Sequence, residues 1–196
     1  MAIDNLKKIR KEDCVLLIID MQNDFIAKGA PIECPGGRDI VPQILKMKKW
    51  ANTNHVPIIY TRETHRRQHV DFGLELERNE PEHCLENGHG VEIIDELRPD
   101  PDDYVLIKRR YSAYYQTDLE LLLKGMKKKA VIICGAATNV CVYATALETQ
   151  QRDMYAVVLR DCVAGTSVDL HEAFLKNIDY VVGDVVTSEE LMHAMK

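Results

Sequence analysis

The sequence predicts a doubly wound, three-layer α/β/α sandwich around a six-stranded parallel sheet. Six short apolar runs, each bounded by turn residues, recur along the 196-residue chain. The runs are almost continuously apolar and rich in Val and Ile, as parallel strands covered on both faces require. Patterns of helical period separate the runs, which indicates right-handed βαβ crossovers. Because this length suits one mid-sized domain, we predict a single domain over residues 1–196.

The apolar runs give the predicted strands in chain order. These are Cys14–Ile19, Pro57–Tyr60, Tyr104–Ile107, Ala130–Cys134, Tyr155–Leu159 and Tyr180–Val182. Apolar residues at helical spacing predict four helices. These are Asp39–Ala51, with Pro42 in its first turn, Val91–Leu97, Asn139–Gln151 and Val168–Ile178. Capping boxes of the T-x-x-E type predict two further helix starts, at Thr117–Glu120 and Thr187–Glu190.

Composition and charge narrow the class of protein. The chain has 25 Lys and Arg against 31 Asp and Glu, a formal charge of -6, and 46% hydrophobic residues. This balance argues against a disordered or collagen-like chain. The acidic balance also provides no extended basic surface for a phosphate backbone, so we expect no nucleic-acid partner.

Sequence features that report on location favour the cytoplasm. The longest apolar run near the start, Cys14–Ile19, has six residues, far below the roughly 20 that cross a bilayer. The basic residues before it are not followed by the apolar core of a secretory signal. Six cysteines show no C-x-x-C spacing, so we expect reduced thiols. These are Cys14, Cys34, Cys84, Cys134, Cys141 and Cys162.

A long segment without period, residues 62–90, interrupts the alternation of strands and helices. It is dominated by Arg, Glu, His, Asn and Gly. A long ordered loop in a compact domain is usually functional, so we predict that it forms part of a pocket. A surface excursion without function is the alternative.

Three reactive side chains lie at or just beyond the ends of predicted strands. Asp20 ends the first strand, Lys108 ends the third, and Cys141 begins the helix after the fourth. Ligands of open parallel sheets bind beyond the carboxyl ends of the strands. Individually, such an Asp caps a turn, such a Lys extends to water and such a Cys packs in the core. Together they supply a base, a cation and a nucleophile whose thiolate is favoured by the helix start.

Three segments carry a resemblance to a known family. VLLIIDMQNDF (15–25), YVLIKRRYSAYYQTDLELLL (104–123) and VIICGAATNVCVYATALE (131–148) strongly resemble the isochorismatase-like cysteine hydrolases, and VVLRDCVAG (157–165) continues the likeness. The resemblance implies an isochorismatase-like fold and a catalytic triad of Asp20, Lys108 and Cys141. It also implies a cis peptide between Ala136 and Ala137, with an oxyanion hole formed by the N–H groups of Ala137 and Cys141. The implied reaction is hydrolysis of an amide through a thioester, in a homo-oligomer such as a dimer or tetramer.

The branch within that family follows from two further comparisons. Isochorismatase proper cleaves a vinyl ether and has no cysteine at the position of Cys141. Nicotinamidases bind a divalent metal through Asp-x-His and a later His, where this chain has Glu63, His65 and His69. These three are weak metal candidates, with loop hydrogen bonding as the alternative. The segments TRETHR (61–66), 75–97 and KRRYSAYY (108–115) look most like the metal-free ureidoacrylate, biuret and carbamoyl amidohydrolases, so we expect no metal cofactor.

Further pocket candidates follow from position, each with a structural alternative. Five residues near the triad are expected to contact a small amide or ureido substrate: Gln22, Phe25, Tyr111, Ser112 and Tyr115. Arg109 and Arg110 are candidates to anchor a substrate carboxylate, although such pairs are usually solvated. Two rival functions remain open: a non-catalytic module on the same fold that binds a small molecule or a protein, and a redox role for Cys141 with Cys134 or Cys162.

Overall fold

Six parallel strands form one sheet in the order β3-β2-β1-β4-β5-β6 in the computed structural model, which describes residues 6–78 and 80–195. The strands are β1 (Cys14–Ile19), β2 (Ile58–Glu63), β3 (Tyr104–Lys108), β4 (Ala130–Ala136), β5 (Tyr155–Ala164) and β6 (Asp184–Val186). The predicted six-stranded parallel α/β fold is confirmed. The outer residues of the predicted domain, 1–5 and 196, lie outside the described part.

Helices connect the strands. They are α1 (Asn23–Ile26), α2 (Val41–Thr53), α3 (Leu119–Gly125), α4 (Tyr143–Gln150), α5 (Val168–Asn177) and α6 (Ser188–Ala194). Short 3-10 turns occur at Lys11–Asp13, Glu75–Arg78 and Asp95–Leu97, and π-helical turns at Thr138–Val142 and Ile178–Val182. Among the described residues, no helix is long and apolar enough to cross a membrane.

Alternation along the central strand builds two cores, one on each face of the sheet. Leu16 and Ile18 of β1 pack with one buried cluster, which includes Met47 of α2 and Leu191 of α6. Val15, Leu17 and Ile19 of β1 pack with the second cluster, which contains residues of α3, α4 and α5. Because both faces are covered, β1 has no exposed residue.

The last strand lies later in the chain than predicted. Tyr180–Val182 belongs to the π-helical turn Ile178–Val182, and β6 begins only at Asp184. Gly183 separates the two and passes close to β5: a Cβ there would lie 2.3 Å from the Ala156 carbonyl oxygen. A short apolar run does not by itself distinguish a strand from a helical turn.

Two helix predictions also need correction. Val91–Leu97 is helical only at Asp95–Leu97, because residues 91–92 form a turn and a bend and Ile93 forms a β-bridge with Gln22. At the predicted Thr117–Glu120 capping box, the Thr117 hydroxyl donates to the Ala113 carbonyl and accepts from the Leu119 N–H, so it does not cap the Glu120 N–H.

The second capping box is confirmed. Thr187 Oγ1 accepts from the Glu190 N–H at 3.2 Å, and the Glu190 carboxylate accepts from the Thr187 N–H at 2.7 Å. The remaining predicted helices are present with shifted ends. The largest shift is at Asn139–Gln151, where the first turn is π-helical and α4 begins at Tyr143.

The segment 62–90 is held in place by its own hydrogen bonds. The His65 N–H donates to the Cys84 carbonyl, and the Glu86 N–H donates to the His65 carbonyl, each at 2.8 Å. Asp71 accepts from the Arg66 backbone and side chain and forms an ion pair with Arg109. These contacts fold the segment back over the carboxyl ends of β2 and β3, where it contributes to a pocket.

Candidate active site

The three reactive side chains meet at the carboxyl edge of the sheet. Strand order reverses between the neighbouring strands β1 and β4, which is where open α/β sheets bind ligands. Asp20 follows β1, Lys108 ends β3, and Cys141 lies in the π-helical turn after β4. At this edge Gly135 has φ +114°, and a Cβ there would lie 2.1 Å from the Ile19 carbonyl oxygen. Only glycine allows β4 to run this close to β1.

Lys108 links the reactive groups. Its Nζ lies 2.7 Å from Asp20 Oδ2, 2.5 Å from Glu63 Oε2 and 3.6 Å from Cys141 Sγ. Glu63 Oε2 is also 4.0 Å from that sulfur. All four residues are buried, with Lys108 fully so. The centre therefore contains a second carboxylate, Glu63, which the sequence suggested only as a weak metal ligand.

Thr61 of β2 is a partner of Asp20 that the sequence reasoning missed. Its hydroxyl donates to Asp20 Oδ1 at 2.6 Å and accepts from the Asp20 N–H at 3.0 Å. Thr61 is fully buried, and Asp20 itself has φ +48°. The available signal in the sequence was a polar residue placed directly after the apolar run Pro57–Tyr60. Thr61 fixes the carboxylate that faces Lys108.

Burial and neighbouring charges set the protonation states. Burial raises the pKa of Asp20, although Lys108 and the Thr61 hydroxyl act in the opposite direction. Burial also raises the pKa of the Cys141 thiol well above its ordinary value, against the effect of Lys108. For Glu63, Lys108 and hydrogen bonds from two histidines outweigh burial, so the pKa lies well below the usual range. For Lys108, the acidic neighbours outweigh burial and raise the pKa. At neutral pH the centre holds a Glu63–Lys108 ion pair and a protonated thiol.

A cavity of about 280 Å³ opens onto this centre. Its wall includes Ala136 and Ala137, which are joined by a cis peptide bond. Fourteen residues line it: Asp20, Phe25, Ile32, Glu33, Cys34, Glu63, Glu80, His83, Tyr111, Ala136, Ala137, Val140, Cys141 and Thr166. The cavity gives a small molecule access to Cys141.

Two of the five expected substrate contacts, Phe25 and Tyr111, line this cavity, and three do not. Gln22 is fully buried, where its Oε1 accepts from the Glu63 N–H and its Nε2 donates to the carbonyls of Glu63 and Val91. Ser112 Oγ accepts from a backbone N–H two residues later, and Tyr115 is about half exposed outside the cavity. Gln22 therefore braces the loop instead of contacting the cavity.

The arginines after Lys108 also face away from the cavity. Arg109 Nε lies 3.2 Å from Asp71, and its guanidinium donates to the Thr64 carbonyl. Arg110 donates to the carbonyls of Asp71 and Arg109. Both fasten the segment 62–90, so the anchor for a substrate carboxylate that the sequence suggested is absent from the lining residues.

A second buried cluster lies behind Glu63. Ligand atoms of Glu63, His65, Glu75 and His83 lie within 4.8 Å of one another. Glu63 Oε1 is 3.0 Å from His83 Nε2 and 3.3 Å from His65 Nε2. His69, the third residue suggested by the sequence, lies outside this cluster and contacts Glu82 at 3.2 Å. His83 takes its place because residues 81–84 bring the loop back toward Glu63.

The chemistry of this cluster suits a divalent transition metal. Two imidazoles and two carboxylates are ligands that Zn²⁺ accepts. Glu75 Oε1 is buried without a hydrogen bond, 3.5 Å from His65 Nε2. Glu63 would be a ligand shared with Lys108, whose positive charge already satisfies the other oxygen of that carboxylate. The residues fit such an ion.

The six cysteines are unpaired and buried. Cys134 lies in β4 and Cys162 in β5, and burial raises the pKa of each thiol. A disulfide between Cys141 and either residue is not present.

A match to a protein-family model shows which family the chain belongs to. The model of the isochorismatase domain matches residues 14–190. The chain belongs to the isochorismatase family. This isochorismatase-family hydrolase is 33% identical over 180 residues to the family protein YaaI of Bacillus subtilis, covering 92% of the chain and 96% of YaaI. It is 28% identical to maleamate amidohydrolase of Pseudomonas putida, covering 92% and 86%, and 26% identical to ureidoacrylate amidohydrolase of Acinetobacter baylyi, covering 96% and 86%.

Solved structures agree with the fold. An isochorismatase-like hydrolase from Alkaliphilus metalliredigens superposes with a TM-score of 0.86 at 32% identity, covering 93% of this chain and 98% of that one. The pyrazinamidase of Pyrococcus horikoshii in complex with zinc superposes with a TM-score of 0.81 at 30% identity, covering 89% and 99%. The family therefore contains a structure with bound zinc, but no cofactor is established for this hydrolase.

Proposed function

We propose that this isochorismatase-family hydrolase cleaves a C–N bond of a small amide, ureido or carbamoyl compound through a thioester on Cys141. The observation that carries the proposal is the Lys108 ammonium, 2.7 Å from Asp20 and 3.6 Å from the Cys141 sulfur, beside the cavity. Relatives named as amidohydrolases of maleamate and ureidoacrylate support the choice of an amide bond. The product is a carboxylic or carbamic acid together with ammonia or an amine.

Acylation couples the attack of the Cys141 sulfur to the transfer of the thiol proton to Asp20. Burial raises the pKa of both groups, so the thiol keeps its proton until attack and Asp20 accepts it as the S–C bond forms. Lys108 stabilises the carboxylate and the developing thiolate in turn. We assign the oxyanion to the N–H groups of Ala137 and Cys141, where the loss of one donor typically costs about a hundredfold or more in rate. Collapse breaks the C–N bond, and Asp20 returns the proton to the leaving nitrogen.

Deacylation uses the same residues in reverse. Water enters the cavity, Asp20 accepts its proton, and the resulting hydroxide attacks the thioester carbon. Cleavage of the C–S bond releases the acid, and the proton on Asp20 restores the thiol. Thr61 acts as a positioning residue, because both of its hydrogen bonds hold Asp20 in place.

We propose that this cycle runs without a metal, because Lys108 already supplies a cation between the two carboxylates. A metal-dependent nicotinamidase-type amidase is the second candidate, and the buried cluster of Glu63, His65, Glu75 and His83 favours it. These four residues would hold a divalent ion that, when bound, polarises a substrate carbonyl or nitrogen. Chelation separates the two candidates.

We also propose a cytoplasmic homo-oligomer. Six buried thiols without a disulfide fit a reducing compartment. The edge strand β3 exposes Tyr104, Val105 and Ile107, each more than 40% accessible. A second copy that covers these side chains would remove an apolar surface from water. Light scattering of the purified protein tests the self-association directly.

The decisive experiment is ammonia release by EDTA-treated protein. The panel contains biuret, ureido acids, carbamoyl amino acids, nicotinamide and simple amides. We expect release from one of the ureido or amide classes, abolished in Cys141→Ala and retained in Cys162→Ala, which removes a buried thiol away from the cavity. Activity that appears only after Zn²⁺ or Fe²⁺ is restored would instead establish the metal-dependent candidate. Release that persists in Cys141→Ala would refute the thioester route.

A further inference from the structure

The ionisable side chains that line the cavity are predominantly acidic. Glu33 and Glu80 join Asp20 and Glu63 in the wall, with His83 as the one basic side chain among the fourteen lining residues. Lys108 neutralises part of the charge of Asp20 and Glu63, because it bonds both. Glu33 and Glu80 are not neutralised in this way.

Neither of these two glutamates forms an ion pair with a Lys or Arg among the described residues. Glu33 accepts a hydrogen bond from the Gly29 N–H at 2.7 Å at the exposed rim. Glu80 is partly buried, and burial raises its pKa; His83 acts in the opposite direction and Glu63 in the same direction as burial. A carboxylate in that position is stabilised by any cation that enters the cavity.

The three basic side chains at the end of β3 already form ion pairs or hydrogen bonds with protein groups. Lys108 is fully buried between two carboxylates, and Arg109 and Arg110 bond Asp71 and backbone carbonyls outside the cavity. A substrate carboxylate would therefore meet glutamates of like charge and no free Lys or Arg among the lining residues. Maleamate, the substrate named for one relative, carries such a carboxylate.

We propose that the amide or ureide taken by this enzyme carries an ammonium or guanidinium group and no carboxylate, with Glu33 and Glu80 as the residues that recognise the cation. This inference rests on the proposed amidohydrolase function and defines its substrate class. The apolar part of the wall, Phe25, Ile32 and Val140, accommodates the aliphatic chain between the cation and the reacting carbonyl. The acidic end orients the substrate, since charge complementarity rejects the anionic analogue as well as attracting the cationic one.

A matched series of ureas tests the charge preference on EDTA-treated protein. 3-Aminopropylurea, butylurea and 3-ureidopropionate differ in terminal charge at similar length, and 4-aminobutanamide, pentanamide and succinamate form the amide set. We expect kcat/KM to fall in the order cationic, neutral, anionic, with about tenfold or more between cation and neutral compound. Glu80→Gln should lower kcat/KM for the cationic compound at least tenfold more than for the neutral one. Glu77→Gln, an exposed acid outside the cavity, should not change the ratio.

Alkylthiosulfonate reagents give a readout that needs no turnover. The sulfur of Cys141 displaces the sulfinate from a methanethiosulfonate and forms a mixed disulfide, which mass spectrometry locates. Rates for trimethylammonium, neutral methyl and sulfonate reagents are compared after normalisation to glutathione. We expect the cationic reagent to react at least tenfold faster than the anionic one, and the Glu33→Gln, Glu80→Gln double variant to lose most of that preference.

The two measurements distinguish failure of the substrate class from failure of the amidohydrolase function. Ordered reagent rates with no turnover of any compound would refute the amidohydrolase function while leaving the cation preference of the cavity in place. Turnover with equal or better use of the carboxylate compounds would overturn the proposed substrate class and leave the amidohydrolase function standing. Reagent rates that show no dependence on charge would also overturn the proposed substrate class.

Discussion

Replacing Thr61 by Val removes two hydrogen bonds at the base of the site without changing the shape of the side chain. The hydroxyl donates to Asp20 Oδ1 at 2.6 Å and accepts from the Asp20 N–H at 3.0 Å, in a fully buried position. A hydrogen bond to a charged group contributes roughly 1.5–3 kcal/mol and a neutral one about 1 kcal/mol. The free energy of unfolding should therefore fall by about 2.5–4 kcal/mol at neutral pH.

The same substitution should change the pH dependence. The Thr61 hydroxyl lowers the pKa of Asp20, against burial, which raises it. Without the hydroxyl the pKa of Asp20 rises further, so the acidic limb of the kcat/KM profile moves to higher pH. The raised folded-state pKa means that the contribution of Asp20 to stability is present below its unfolded pKa and is lost as pH rises through the folded pKa. The destabilisation by Thr61→Val should therefore be larger at pH 8 than at pH 5.

Urea unfolding and kcat/KM from pH 5 to 9 measure both effects. Thr61→Ser keeps the hydroxyl and should retain the wild-type profile. Thr149→Val is the matched control, because it removes a buried hydroxyl that bonds the Thr145 carbonyl and the Tyr114 hydroxyl away from the site. It should lower stability and leave the pH profile unchanged. A Thr61→Val enzyme with the wild-type acidic limb would refute the assignment of Asp20 as base and Thr61 as its positioning residue.

Two further substitutions test the centre and the strand that positions it. Lys108→Met leaves the buried carboxylates of Asp20 and Glu63 without their cation, so the free energy of unfolding should fall by about 3–5 kcal/mol at pH 7. The loss should become smaller at acidic pH, where both carboxylates are protonated. Urea unfolding at several pH values measures it. Undiminished destabilisation at low pH would contradict this reasoning. Gly135→Ala places a Cβ 2.1 Å from a backbone oxygen of β1 at φ +114°, and should prevent folding or reduce the melting temperature sharply. Gly125→Ala, which meets nothing within 4 Å at the end of α3, should fold normally and gain up to about 1 kcal/mol.

Sequence patterns predicted the parts of the fold that depend on local order. A buried parallel strand needs a continuous apolar run, so β1 was placed with its observed bounds, Cys14–Ile19. The convergence of Asp20, Lys108 and Cys141 then followed, because parallel strands present their carboxyl ends at one edge. This rule needs no knowledge of side-chain packing.

Contacts between distant segments were not predictable in the same way. His83 reaches Glu63 across 20 residues of irregular chain, and no period in the sequence marks it instead of His69. The position of Gln22, two residues after Asp20, predicts a substrate contact, yet its amide forms hydrogen bonds with backbone carbonyls at Glu63 and Val91. The apolar neighbours of Tyr180 predict a strand, although Tyr180 is almost entirely exposed on a π-helical turn.

The hydrogen bonds of Gln22 make the segment 62–90 a structural unit that can be exchanged without altering the sheet. One side chain holds the loop where it leaves β2, at Glu63, and again where it returns, at Val91. Length and composition between these two points can therefore vary while both ends keep their positions relative to the sheet. Segments exchanged between relatives at these two junctions should carry their substrate preference with them, which offers a route to transplanting specificity onto an unchanged catalytic frame.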